Sequence, residues 1–257
     1  MGIKKLSIFF FITLLIFPIT IFLFGSKSYA QKEESFVGCI YKFSGNVEVF
    51  YPEKNTWEKV KKYISIKEGN KIRTGKNAFC DIVMQDGSTI RLSEKTEIDI
   101  TSLKLTNKNQ NYKFKINFGK ILGLMGKLNS KESSIAINTP TAVMAIRGTD
   151  FSVITSTEET NIGLFEGEVN IKTETEEEIT LKPDMEALIQ KGKKANVQER
   201  LSKVMEKEKE RWKKVKEYVE GIRKKIQERE SYLQERLQEQ KSKIEDWEKR
   251  REEKLKK

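Results

Sequence analysis

The chain has 257 residues, 37% hydrophobic and 34% charged, with a formal net charge of +11 and no histidine. That composition suits one ordinary core with appendages, and the missing histidine removes the usual general base, the commonest metal ligand and the ordinary catalytic triads. Counting Lys and Arg against Asp and Glu gives 3 to 0 for residues 1–30, 25 to 23 for 31–196 and 21 to 15 for 197–257. The body is therefore nearly neutral, which excludes a basic nucleic-acid face as the reason for the high charge.

Lys4 and Lys5 precede the run LSIFFFITLLIFPITIFLF, and Ser28 and Ala30 occupy the small-residue positions of a signal-peptidase site. Residues 1–30 thus read as an N-terminal hydrophobic signal helix, and the chain as exported. The apolar run also reaches membrane-spanning length, so residues 6–24 contact the membrane if the leader stays uncleaved. Five residues ahead of that run are too few for a cytoplasmic domain. The leader has no cysteine to receive a lipid.

From Phe36 to about Ile189 turn residues recur every eight to twelve positions between short β-like runs, the rhythm of an all-β domain. Its two cysteines, Cys39 in FVGCIYKF and Cys80 in AFCDIVM, are a candidate disulfide in an exported protein or two small buried side chains. In CDIVMQDGSTIRL, Asp86-Gly87 separates two alternating runs, a strong hairpin signal. SGNVEVF, FGKILGL and EGEVNI each place Gly before an alternating strand. A sandwich or barrel-like roll of short antiparallel strands and hairpins ranks ahead of a solenoid on so short an echo.

The stretch INTPTAVMAIRGTDFSVI, Ile137 to Ile154, looks like a covered strand interrupted by Arg-Gly-Thr-Asp. An ionised Arg147 there needs a partner, and Asp81, Asp86, Asp150 and Glu166 are the candidates. Gly148 permits a bulge or close backbone approach, and Thr149 can satisfy a turn. Further on, Glu176, Glu177 and Glu178 read as a charged hairpin tip or edge that discourages strand addition.

Residues 195–257 change to a long charged helix without Pro and with one internal Gly221. Val204, Val215, Ile226 and Leu237, and again Ile222, Leu233, Ile244 and Leu255, step by eleven, a spacing that suits a nearly straight coiled coil. A solvated single helix braced by Glu-to-Lys pairs is the alternative.

Catalytic chemistry is sparse. Two separated cysteines make no zinc site, and the glycines form neither a Walker loop nor a dinucleotide fingerprint. Asp81, Asp86, Asp99, Asp150 and Glu166 could in principle supply a glycosidase pair, but surface or turn carboxylates are the plainer reading. No enzyme, cofactor or metal is expected.

The segments GNKIRTGKNAFCDIVMQDGSTIRLSEKTEIDI, FGKILG, INTPTAVMAIRGTDFSV and IGLFEGEVNI follow one another in the order of a known pattern. Over roughly residues 36–190 the chain resembles the FecR domain family. Asn70 stands where that pattern usually has Asp. The resemblance implies an all-β envelope module, known best from membrane regulators that relay iron-siderophore signals to a sigma factor. Their cytoplasmic sigma-binding segment is not evident here, so the expected type is an exported stand-alone FecR-domain protein. Its compartment would be the periplasm, either free or anchored to the inner membrane, or the extracellular face of a cell with one membrane. Arg147, Gly148 and Thr149 are then fold-defining or part of a binding site. The partner would be an envelope protein, an anionic envelope polymer, or a second copy through residues 195–257. A structural spacer is the rival function and a carbohydrate-active enzyme the third.

Overall fold

The computed structural model describes residues 37–106, 109–126 and 133–255; the leader expected at 1–30 lies outside them. Strands β1 (Gly38–Ser44), β2 (Val47–Tyr51), β3 (Thr56–Lys59), β4 (Ile64–Ser65), β5 (Lys71–Thr74), β6 (Phe79–Met84) and β7 (Thr89–Leu92) come first. They are followed by β8 (Glu97–Leu105), β9 (Gln110–Leu124), β10 (Ser134–Asn138), β11 (Ala142–Ile146) and β12 (Asp150–Thr155). The β body ends with β13 (Glu159–Glu166), β14 (Val169–Thr173), β15 (Glu178–Leu181), β16 (Glu186–Gln190) and β17 (Asn196–Gln198). One long helix, α1 (Lys203–Leu255), completes the described chain.

Two sheets share one interior. The first runs β4-β1-β6-β7-β9-β12-β13-β16-β17. The second runs β3-β2-β5-β8-β9-β10-β11-β14-β15. Ile40, Ile82, Ile90, Phe151 and Leu164 from the first meet Val49, Ile72, Phe114, Ile137, Met144 and Ile171 from the second in a single buried cluster. Alternating apolar residues in each strand supply that face, as the period of two requires.

Strand β9 belongs to both sheets. Its first part pairs with β8 and β10, and from Gly119 onward it pairs with β7 and β12. Gly119 has φ +106°, and a methyl group added there would sit 2.5 Å from Thr96 Cα. Only glycine fits this corner. Tyr112, Phe114 and Ile116 face the shared core before the corner and Ile121 after it, so the inward parity switches as the strand changes sheets. The Gly of FGKILG therefore marks a bend within a strand rather than the start of one. Because β9 crosses to the other sheet, β10 returns alongside its first part in parallel, an exception to the expected antiparallel set.

The hairpin at Asp86-Gly87 joins β6 to β7, with Ile82 opposite Ile90 and Gly87 at φ +78°. Glu176 stands in the turn at the β14–β15 tip, next to β15, the outer strand of the second sheet. Helix α1 begins at Lys203 rather than near Ala195, since residues 196–198 still add a strand to β16. Ser202 caps it: its Oγ accepts from Met205 N at 3.3 Å while the Glu186 carboxylate accepts from Ser202 N and Oγ.

Candidate interaction site at the helix and sheet junction

The outer face of the first sheet is apolar where β9, β12 and β13 run side by side. Leu122, Leu124, Phe165 and partly buried Ile154 project there, and Gly163 leaves room for Met205. Helix α1 lays Met205, Trp212, Val215 and Val219 onto this surface. These positions recur at seven or three and four residues, one stripe of an α-helix. Each large side chain so buried contributes on the order of 1.5–3 kcal/mol.

Polar contacts fix the helix in place. Trp212 Nε1 donates to Asp150 Oδ2 at 2.9 Å, and Lys216 Nζ lies 3.7 Å from that carboxylate and 2.5 Å from Glu166. Asp150 and Glu166 are register partners on β12 and β13. Burial pushes the Asp150 carboxyl above its ordinary value, while the Trp212 hydrogen bond and Lys216 pull it back. Lys120 pairs with buried Glu208 at 2.8 Å, and Lys209 pairs with Asp184. Arg223 donates to Leu124 O at 2.8 Å and to Gly87 O at 3.1 Å, linking the helix to the hairpin turn.

Arg147, the residue expected to be buried and paired, is exposed, with no ionic partner among the described residues. Its four candidate partners are engaged elsewhere. Asp81 binds Arg91 through two hydrogen bonds of 2.6 and 2.7 Å, and Asp86 accepts from Ser88 N and Oγ. Asp150 and Glu166 hold the helix. Gly148 has φ +63° and packs against Gly167, where an added methyl group would lie 2.9 Å from Gly148 O. Thr149 is buried, with an Oγ1 that has no hydrogen-bond partner among the described residues. The motif residue whose side chain reaches the helix is Asp150, the fourth of Arg-Gly-Thr-Asp.

The candidate disulfide is not formed; both cysteines are free. Their strands are neighbours, but Cys39 pairs with Val83 and Cys80 with Phe43. That offset of three to four residues separates them by roughly 10–13 Å, beyond disulfide reach. Burial pushes both thiols up, so neither is poised to react near neutral pH.

Beside the point where α1 leaves the sheet, a recess of about 500 Å³ is lined by Cys39, Tyr41, Val83, Met84, Ile222 and Leu233. Past it, Gln227–Arg251 are exposed throughout. The projecting segment carries Leu233, Leu237, Ile244 and Trp247, exposed by 50%, 57%, 56% and 60%. Among the described residues no helix is long and apolar enough to cross a membrane.

These strands also carry a family signature. Residues 70–170 match the model described as FecR protein. The resemblance read from the ordered motifs is borne out, over a narrower span than 36–190. The FecR match runs from Asn70, just before β5, into β14, and includes β9, β12 and β13, the strands beneath the apolar stripe of α1. Asn70 is buried: its Oδ1 accepts from Lys67 N at 2.9 Å and its Nδ2 donates to Phe50 O at 3.3 Å. An ionised Asp could not make the second bond, so the departure from the family pattern has a local use. No curated protein sequence matches the chain. Two crystal structures described as "a putative anti-sigma factor" from Parabacteroides distasonis align at 14% identity and a TM-score of 0.43. The alignments cover 51% of this chain and 59% of theirs, less than two thirds of the length of those neighbours.

Proposed function

We propose that this chain is a non-enzymatic, signalling-related interaction module of the cell envelope, exported by residues 1–30, whose FecR-type β body presents a helix to a protein partner. One observation carries the reading: α1 is fixed to the FecR strands from Met205 to Ile222 and exposed from Gln227 to Arg251. A pure spacer has no need for exposed Leu233, Leu237 and Ile244, which favours partner contact over the spacer reading. Arg147, exposed on the surface of the β body, is a second contact candidate, and Gly148 and Thr149 serve the turn beneath it. The family match supports a regulatory role, and the five carboxylates considered for glycosidic chemistry are each engaged within the described residues. Asp81, Asp86, Asp150 and Glu166 are bound as described, and Asp99 accepts from Asn117 at 2.9 Å.

The test is a photoreactive residue at position 237 in cells producing the full chain. An adduct with a membrane or extracytoplasmic protein is expected, and none from the same residue at exposed Lys214. Adducts with cytoplasmic proteins alone, or none, overturn the reading.

A further inference from the structure

The face of α1 that docks on the sheet continues past its edge. At about 100° per residue, Leu233, Leu237 and Ile244 fall within about 20° of Ile226, which adjoins the docked stripe. Trp247 lies about 60° to one side. The β body covers this face as far as Ile222 and the recess flanking it; beyond, none of the described residues lies on the same face.

We infer that the occupant is a second copy of this chain, its helix laid antiparallel along Gln227–Lys254 about a two-fold axis between Gln240 and Lys241. The inference rests on the projecting helix being the contact surface, as proposed above. In this register Leu237 meets the partner's Ile244, and Leu233 lies level with the partner's Trp247. Leu233, Leu237, Ile244 and Trp247 are covered at once, while exposed Tyr232 lies off this face. Glu230 comes level with the partner's Arg251, and Arg236 with the partner's Glu245.

Charge and space select antiparallel over parallel. Residues 227–240 hold four Glu against two Arg, whereas 241–254 hold six Lys or Arg against five Asp or Glu. Antiparallel pairing sets the acidic half on the basic one; parallel pairing sets like on like. In a parallel pair both β bodies would have to fill the same space, since each sits on the stripe side of its own helix. Antiparallel pairing puts the bodies at opposite ends. A stripe of four large residues over about eight turns is thin for a coiled coil, so the association is weak and concentration-dependent.

The experiment uses the full chain carrying Cys39→Ser. Leu233→Cys and Trp247→Cys variants, distinguished by a tag, are produced in the same cells and treated with a short membrane-permeant bismaleimide. A crosslinked dimer containing both tags is expected, neither variant should crosslink alone, and adding Leu237→Glu to both should abolish the product. No mixed dimer, or a dimer from Leu233→Cys alone, overturns the inference. If crosslinking fails while the photoreactive residue at 237 captures a different envelope protein, self-pairing falls and the proposed function stands. If both fail, the projecting helix is not a contact surface.

Discussion

Trp212 Nε1 and Asp150 Oδ2 meet at 2.9 Å across 62 residues of chain, a buried hydrogen bond between the long helix and the strand that follows Arg-Gly-Thr. Replacing Trp212 by Phe leaves the buried carboxylate without that donor. A loss of about 1–3 kcal/mol in urea unfolding is expected. Adding Asp150→Asn should recover part of it, because the two changes share one interaction and do not add.

Acid should not release the helix through Asp150. Its carboxyl is raised by burial, so the native state holds that proton more tightly than the unfolded chain, where Asp titrates near 3.9. The stability it adds is complete below the unfolded value and is lost as pH rises through the folded one. Between about pH 4 and neutrality the wild-type urea midpoint should therefore lose more than that of Asp150→Asn. Equal slopes would show that Asp150 does not titrate as a buried group.

Two arginines separate the sequence motif from the structure's own ties. Arg147→Ala, at an exposed site, should change stability by no more than about 0.5 kcal/mol. Arg91→Ala strands Asp81, whose side chain is fully buried, and should cost about 3–5 kcal/mol. Thermal or urea unfolding of both variants checks the contrast.

Two glycines make an opposite pair. Gly119→Ala forces a methyl group onto the Thr96 backbone at a positive φ, and a loss of about 3 kcal/mol or more is expected. Gly221→Ala places its methyl group in open space on a helix and should gain up to about 1 kcal/mol. Calorimetry of both variants reads the two signs.

The strands and the Asp86-Gly87 hairpin were legible because alternation and turn chemistry are local. The sheet exchange at Gly119 was not, since a glycine in an alternating run looks the same at a turn and at a corner. Arg147 misled for a related reason. The run Ala142 to Ile146 reads as covered on both faces, yet Val143 and Ala145 are exposed on β11, which leaves the following Arg in water. The helix was visible and its docking was not: Met205, Trp212 and Val219 fall outside the eleven-residue series that drew attention to the stripe. The signal was a heptad through 205, 212, 219, 226 and 233, apolar at each step.

Strand β9 also governs how the body comes apart. Because one backbone supplies ladder bonds to both sheets, peeling either sheet from the core breaks pairings in the other. Neither sheet can therefore serve as a separately folding half. A pull on the projecting helix, delivered through Arg223 to the carbonyl of Leu124 at the end of that strand, would be felt on both sides of the core at once.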